Sequence, residues 1–458
     1  MRRHVRADRG RCLLQGLSVV PVGSGAFFRC RVGFCCWRES GISCSPLVWR
    51  PLFFLRLRFA FLSLFYLLAS RYNAVPLIVV NCEREYIVKK EVINASVQSD
   101  ESCWNDWKWQ IANRLSDFDQ LRAATKLTVR EERAVASAAS FSLGITPYYS
   151  QHINHQALRK TIVPQEAECR LSRGEWEDPL GEEDHRVAPH LIHTYPDKVL
   201  FLATSFCSTY CRYCTRSRMV GKPQARADGY EASFQYIEEH PAIRDVLISG
   251  GDPLTMTDQA LETILNRLRS ISHVRLIRIG SKVPAVLPMR ITDALVDLLR
   301  KYDVWLSLHF IHAAELTAET VAACRKLSGG GVPMISQTVL LKGVNDSSSA
   351  LKDLFYGMLE VQVKPYYLLQ CDPVRGSAHF RTPVMQGVEL IRSLHGYISG
   401  VAVPQFVIDA PGGGGKVPIV HASQLRREGD EVLFENHEGK LYRYPDPVDQ
   451  ITAQEISI

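Results

Sequence analysis

The first 80 residues contain no lysine, and the chain has no cysteine after Lys416. No uninterrupted apolar run reaches the roughly 20 residues that a membrane-spanning helix needs. The stretch from 51 to 80 is apolar, but Arg56, Arg58 and Arg71 interrupt it, and its longest clean run is Phe59 to Ser70. A signal peptide is equally unsupported, because neither a short basic start nor a small-residue cleavage site is present. Those 80 residues hold twelve arginines against one Asp and one Glu, a charge of +10; with +6 overall, the remainder is −4. A basic surplus is thus absent from the rest of the chain, and nothing basic remains there to suggest nucleic acid as a partner. Arginine without lysine, and Cys12, Cys30, Cys35, Cys36 and Cys44 in no metal-binding spacing, set this segment apart. Three readings fit it: a membrane-surface anchor, a targeting segment, or translated upstream sequence foreign to the natural protein. We favour the last, although no methionine lies between Met1 and Met219 to offer another start.

The remainder is ordinary for a globular protein, with 46% hydrophobic and 22% charged residues over 458 positions. "CWNDWKWQIANRLSDFDQLRAA" and "LTVREERAVASAA" carry helical periodicity, and Thr128 with Glu131 and Glu132 marks a helix start. Trp104, Trp107 and Trp109 read as packing anchors. Strand-like runs then alternate with helical ones: "KVLFLAT", "RDVLISG", "VRLIRIGS", "VWLSLHF", "MISQTVLL", "VKPYYLLQ" and "PQFVIDA". Such alternation implies an α/β fold with a parallel sheet, doubly wound or barrel-like, with function at the carboxyl ends of the strands. The motifs fall there: "TSFCSTYCRYC", "SGGDPL", "HFIH", "LKGVND", "QCDP" and "APGGGGK" each follow a strand.

Cys207, Cys211 and Cys214 form C-x-x-x-C-x-x-C after the first of these strands. Three thiolates can hold three irons of a [4Fe–4S] cube and leave the fourth open to a ligand. Structural zinc is the rival reading, but it calls for a second cysteine pair that the chain lacks. The glycine run ending at Lys416 invites a phosphate-loop reading, which fails because Ala410 and Val417 replace its first glycine and its hydroxyl. A flexible turn bearing a solvated lysine is the plain alternative.

The cysteine spacing, with Tyr213 before the last cysteine, resembles the radical S-adenosylmethionine superfamily. "WNDWKWQ", "YPD", "CRYCTRSR", "ISGGDPL", "QTVLLKGVND", "PYYLLQCD" and "DAPGGGGKVP" together resemble the lysine 2,3-aminomutase family over about residues 103 to 440. The resemblance implies a partial (β/α)6-type radical S-adenosylmethionine barrel with an N-terminal helical segment and a small C-terminal β extension. The expected division is an atypical segment 1–95, a helical region 96–190, the barrel 191–415 and an extension 416–458.

The resemblance further implies three cofactors: the cluster on the three cysteines, S-adenosylmethionine, and pyridoxal 5′-phosphate carried by Lys416, with the glycines letting the backbone approach it. It places Ser249, Gly250, Gly251 and Asp252 at the S-adenosylmethionine amino group, and His309 and Gln337 on its adenosyl side. It puts Tyr195 beside the pyridoxal. Asp372 and Asp409 would hold the terminal ammonium of the substrate and Arg216 its carboxylate; two close carboxylates favour a buried cation. The implied reaction moves the α-amino group of L-lysine to the β-carbon, with a flavodoxin- or ferredoxin-type electron donor in the cytoplasm. Supply of β-lysine for elongation factor P, another cationic amino acid as substrate, and a non-catalytic iron–sulfur protein are the alternatives. Thr194 and Lys198 replace arginines that usually flank the tyrosine. Ser347 stands where larger relatives complete an inter-subunit zinc site, so that zinc is expected to be absent. "DEVLFENHEGKLYRYPDP" reads as a β-hairpin, with His437 to Gly439 near its turn, suited to a dimer contact.

Overall fold

A computed structural model describes residues 36–38, 41–43, 101–136, 142–170, 172–222, 229–419, 426–429, 431–436 and 438–445. The chain divides into two units, Met1–Ser99 and Asp100–Ile458. In the first, the described residues form one antiparallel pair, β1 (Cys36–Arg38) with β2 (Gly41–Ser43). The apolar stretch 51–80 and the rest of the segment expected over 1–95 lie outside the described residues. Among those described, no helix is long and apolar enough to cross a membrane.

The second unit opens with six short helices: α1 (Glu101–Trp104), α2 (Trp107–Ala112), α3 (Phe118–Ala124), α4 (Val129–Ala136), α5 (Pro147–Ser150) and α6 (Gln156–Ile162). The periodic tryptophan stretch is not one helix, because Asp106 and Asp117 turn their carboxylates back to cap α2 and α3. Thr128 and Glu131 exchange the two hydrogen bonds of a capping box at the start of α4. Trp104 and Trp107 pack on the core, and the Arg290 guanidinium lies 4.6 Å from the Trp107 ring.

Ten strands follow in one sheet: β3 (Arg186–Ala188), β4 (Leu191–Tyr195), β5 (Lys198–Thr204), β6 (Asp245–Gly250), β7 (Leu276–Ser281), β8 (Val304–Leu308), β9 (Met334–Leu340), β10 (Lys364–Gln370), β11 (Gln405–Ala410) and β12 (Gly415–Pro418). Their spatial order is their chain order. β5 to β11 are parallel throughout, flanked by antiparallel β3 and β4 on one side and β12 on the other. A doubly wound sheet would reverse its order midway. Unbroken order makes this the barrel-like alternative.

Helices α7 (Glu231–Glu239), α8 (Asp258–Arg269), α9 (Val283–Val286), α10 (Asp293–Lys301), α11 (Ala318–Gly329), α12 (Ser348–Glu360) and α13 (Val384–Arg392) lie between the strands in sequence. Thr257, Thr292, Thr317 and Ser347 each accept a backbone N–H to start α8, α10, α11 and α12. Ser347 thus has a helix-capping task of its own. On α8 the buried residues Leu261, Ile264, Leu265 and Leu268 form a single stripe.

Alternation along the strands separates core from cavity. On β6, Val246 and Ile248 are buried in the core, whereas Asp245, Leu247 and Ser249 line a cavity of about 580 Å³. Leu276 and Arg278 of β7, and Ile335 and Gln337 of β9, line it too. A register irregularity between Pro365 and Tyr367 accompanies the placing of both Tyr366 and Tyr367 on its wall. Every strand from β4 to β12 contributes to that wall, so the sheet curls around an interior chamber. β12, which carries Lys416, is part of this sheet, and the boundary expected at 415/416 runs through it. Beyond it, β13 (Arg426–Glu428), β14 (Glu431–Glu435) and β15 (Leu441–Pro445) form an antiparallel sheet containing the expected hairpin. His437, placed near its turn, lies outside the described residues.

Candidate functional site

Two chambers meet at the carboxyl ends of the strands. The barrel chamber is the 580 Å³ cavity; a second, of about 220 Å³, lies over the cysteine loop. Cys207, Cys211, Cys214, Gly250, Gly251, Asp252 and Asp372 line only the second, and Tyr195 only the first. Arg216, Ser249, His309, Gln337, Asp409 and Lys416 line both. All the candidate residues are therefore brought together, and these six lie on the wall the two chambers share.

The cysteine loop is held from outside. Arg114 donates to the carbonyl of Cys207 at 2.7 Å, Tyr210 N–H to Gly144 at 2.8 Å, and Arg212 N–H to Thr161 at 2.9 Å. The Arg212 side chain, buried between the cysteines, forms an ion pair with buried Glu168. All three thiols are free. Burial pushes the Cys214 thiol up to about 11 and raises Cys207 and Cys211 as well, so taking up a metal here would displace protons. Among the described residues no three His, Cys, Asp or Glu side chains are grouped to hold a single ion. An iron–sulfur cube does not require that, since each thiolate takes its own iron. Three thiols on one chamber fit a cube better than zinc.

The "SGGD" turn is built on this loop. Gly250 has φ +112, and a Cβ there would come within 2.3 Å of the Thr204 carbonyl oxygen. Asp252 N–H donates to Phe206 at 2.8 Å. The Asp252 carboxylate accepts from Leu254 N–H, Ser281 Oγ and Lys282 N–H, so it ties β6 to β7.

Lys416 and Asp409 are direct cross-strand partners on β12 and β11. Cross-strand side chains in such a pair share a face, and Lys416 Nζ donates to both Asp409 oxygens, at 2.6 and 2.8 Å. The glycine run makes the reversal that sets this register. Its Cα hydrogens also face protein: a Cβ on Gly413, at φ +87, would lie 2.0 Å from the His185 ring. The run accommodates His185 and Tyr195 in addition to lining the barrel chamber, a packing demand that spacing alone did not reveal. Tyr195 Oη accepts the Lys416 N–H at 2.6 Å, bridging β12 to β4 across the open seam of the sheet.

Asp372 accepts from Thr215 Oγ1 at 3.0 Å. Burial first, and then the Asp409 charge, push its carboxyl up to about 7. His309 is pushed down to about 4 by burial and by the cations Lys282, Arg216 and Lys416. On the barrel chamber, Arg278 pairs with Asp245 at 2.7 Å, the Lys198 ammonium sits 4.0 Å over the Tyr195 ring, and the buried Ser307 hydroxyl has no partner.

Arg216 already has an ion-pair partner. Its Nε and Nη2 donate to Glu182 Oε1 at 2.8 and 2.7 Å, and Nη1 points to Ser249 Oγ at 3.4 Å. Sequence reasoning passed over Glu182 because it lies in the polar stretch ahead of the strands. Its charge match with "RSR" was the available signal.

The chain matches the family model "Lysine-2,3-aminomutase" over residues 391–456 and "Radical SAM superfamily" over residues 201–354. It is 43% identical over 376 residues to an L-lysine 2,3-aminomutase of Clostridium subterminale, covering 80% of this chain and 88% of that one. To the L-lysine 2,3-aminomutase of Bacillus subtilis it is 45% identical, covering 77% of each. A glutamate 2,3-aminomutase of Clostridioides difficile is 36% identical over 372 residues, covering 80% of this chain and 88% of that relative.

Proposed function

Since this chain belongs to the lysine 2,3-aminomutase family of radical S-adenosylmethionine isomerases, we propose that it moves the α-amino group of L-lysine to the β-carbon, with pyridoxal phosphate on Lys416. The carrying observation is the shared wall. Lys416 stands there opposite Asp409 and beside Arg216 on the lining of both chambers, and Asp372 lines the second of them. Two carboxylates and one guanidinium suit a substrate with an ammonium at one end and a carboxylate at the other. That arrangement favours lysine over glutamate.

The residues fit the cofactors this chemistry calls for. Cys207, Cys211 and Cys214 would hold the [4Fe–4S] cluster, with S-adenosylmethionine against Ser249, Gly250, Gly251, Asp252, His309 and Gln337. Lys416, Tyr195 and the cation Lys198 would hold pyridoxal phosphate in the barrel chamber, where the unpartnered Ser307 hydroxyl offers a further hydrogen bond. Once bound, these groups supply hydrogen abstraction from an unactivated carbon and a π-system for nitrogen migration.

The protein's own part is placement. Arg216 orients the substrate carboxylate, Asp372 and Asp409 take its far ammonium, and the buried walls keep water from the reacting carbons. The proposed electron source is an external flavodoxin- or ferredoxin-type donor, and the proposed location is the cytoplasm. The hairpin β14–β15 is proposed as a dimer contact.

The test is an anaerobic incubation of cluster-reconstituted protein with pyridoxal phosphate, S-adenosylmethionine, a strong reductant and L-lysine, read by mass-resolved chromatography. A β-lysine peak that vanishes in Lys416→Ala and Cys211→Ala supports the reading. Unchanged lysine with released deoxyadenosine would overturn the substrate, and neither product from an intact cluster would overturn the enzyme.

A further inference from the structure

The segment from Asp178 to His185 contacts both the arginines that follow the cysteine loop, Arg216 and Arg218, and the glycine run. Gly412 N–H donates to the Pro179 carbonyl at 3.1 Å, and the Gly181 Cα packs on Gly412, where a Cβ would come within 2.9 Å of the backbone. At its centre is Glu182, 4% exposed. One of its oxygens receives Nε and Nη2 of Arg216; the other receives Nη2 of Arg218 at 2.9 Å. Arg218 has further carboxylates in Asp178 at 3.3 Å and Glu183 at 3.4 Å, whereas Arg216 is ion-paired with Glu182.

Two consequences follow from this geometry. A guanidinium held along its Nε–Nη2 edge has its plane and direction fixed, which a lone flexible arginine does not. The held edge faces away from Ser249, toward which Nη1 points from the wall common to both chambers. Although burial works to raise the Glu182 carboxyl, Arg216 and Arg218 together hold it below its ordinary range, so it stays an anion. With Arg218 shared among three carboxylates, Glu182 keeps Arg216 in place while leaving one face of it for a second anion.

We propose that Glu182 is a positioning residue for substrate recognition, holding Arg216 so that Nη1 meets the substrate carboxylate. It rests on the reading of Arg216 as the carboxylate partner and goes beyond that reading by assigning the orientation to a residue on a separate segment. It also makes 178–185 a selectivity element, since its packing on the glycine run ties the aim of Arg216 to the loop that carries Lys416.

The probes are L-lysine and L-lysinamide, which differ in the carboxylate. Each is titrated into full-length protein loaded with pyridoxal phosphate, without S-adenosylmethionine, and binding is followed by the cofactor's absorbance. Wild type should favour lysine. Glu182→Gln removes the anchoring charge and Glu182→Asp withdraws it by one methylene; both should lower the lysine-to-lysinamide affinity ratio, by about tenfold in Glu182→Gln and less in Glu182→Asp. With all cofactors present, KM for lysine should rise more than kcat falls. Arg216→Gln is the control. If it collapses the ratio while both Glu182 variants keep it, the carboxylate reading stands and the role of Glu182 is overturned. Equal loss of both ligands in the Glu182 variants overturns it too, since a structural defect would not discriminate. If Arg216→Gln keeps the ratio, the reading of Arg216 itself fails and the proposal falls with it. Should Glu182→Gln not fold, Glu182→Asp decides.

Discussion

The ammonium of Lys416 is held by both carboxylate oxygens of Asp409, its cross-strand partner, at 2.6 and 2.8 Å. Asp409 therefore already binds an alkylammonium, the group at the far end of lysine. Tying up the Lys416 nitrogen with cofactor would free that carboxylate for the substrate. Asp409→Asn should weaken lysine binding by about 1.5–3 kcal/mol, the worth of a charged hydrogen bond. Steady-state KM against kcat would read this, and an unchanged KM would count against the assignment.

The pH dependence should come from Asp372. Its carboxyl, pushed up to about 7, is neutral below that pH and cannot hold an ammonium. In wild type, kcat/KM for L-lysine should rise with pH through about 7, and Asp372→Asn should lose that limb.

Stability carries the two opposite signs. Asp372 has a folded value above its unfolded one, so it costs stability as pH rises from about 4 toward 7. His309, pushed down to about 4, stays neutral when folded, so its contribution is lost as pH falls from about 6.5 toward 4. Thermal melts should show the pH slope becoming more positive in Asp372→Asn and more negative in His309→Gln.

Gly413→Ala tests the packing of the glycine run. The new methyl would meet the His185 ring in a left-handed backbone, costing about 1–3 kcal/mol. Adding His185→Ala should recover part of the lost melting temperature but not the backbone strain. No loss in the single variant would mean that the loop relaxes freely.

Glu168→Gln leaves Arg212 buried without its paired charge between Cys211 and Tyr213. Breaking such a pair costs about 3–5 kcal/mol. Melting temperature and iron retained per chain after reconstitution should both drop.

The seven parallel strands were legible because each is a short apolar run, and all but the third end at a chemically marked loop. "RDVLISG" and "VRLIRIGS" map onto β6 and β7, and "SGGDPL" follows the first of them as expected. Doubly wound against barrel-like was not legible, since strand order is a property of long-range pairing. The tryptophan stretch is helical as its periodicity implies, but it folds as three helices because Asp106 and Asp117 break it by capping, a local competition that periodicity does not register. Of the candidate site, the three cysteines stood out by their spacing, whereas Lys416 and Asp409 were singled out by resemblance, the spacing before Lys416 having pointed only to a turn; the structure brings all five to the two chambers. Glu182, Thr215 and His185 were not, for their partners lie 34, 157 and 228 residues away in the chain. The glycines looked like space for a ligand when part of that space belongs to a histidine.

A hoop of strands that never closes has to be fastened somewhere. Here the hydrogen bond from Lys416 to Tyr195 joins the last strand to the one beside the opposite edge, at the residue proposed to carry the cofactor. The fastening and the proposed chemistry thus share one side of the hoop. Cargo attached to Lys416 would act as a clasp, and releasing it would loosen that rim. Hydrogen exchange along β12 and β4 is where that gain and loss of grip would be felt first.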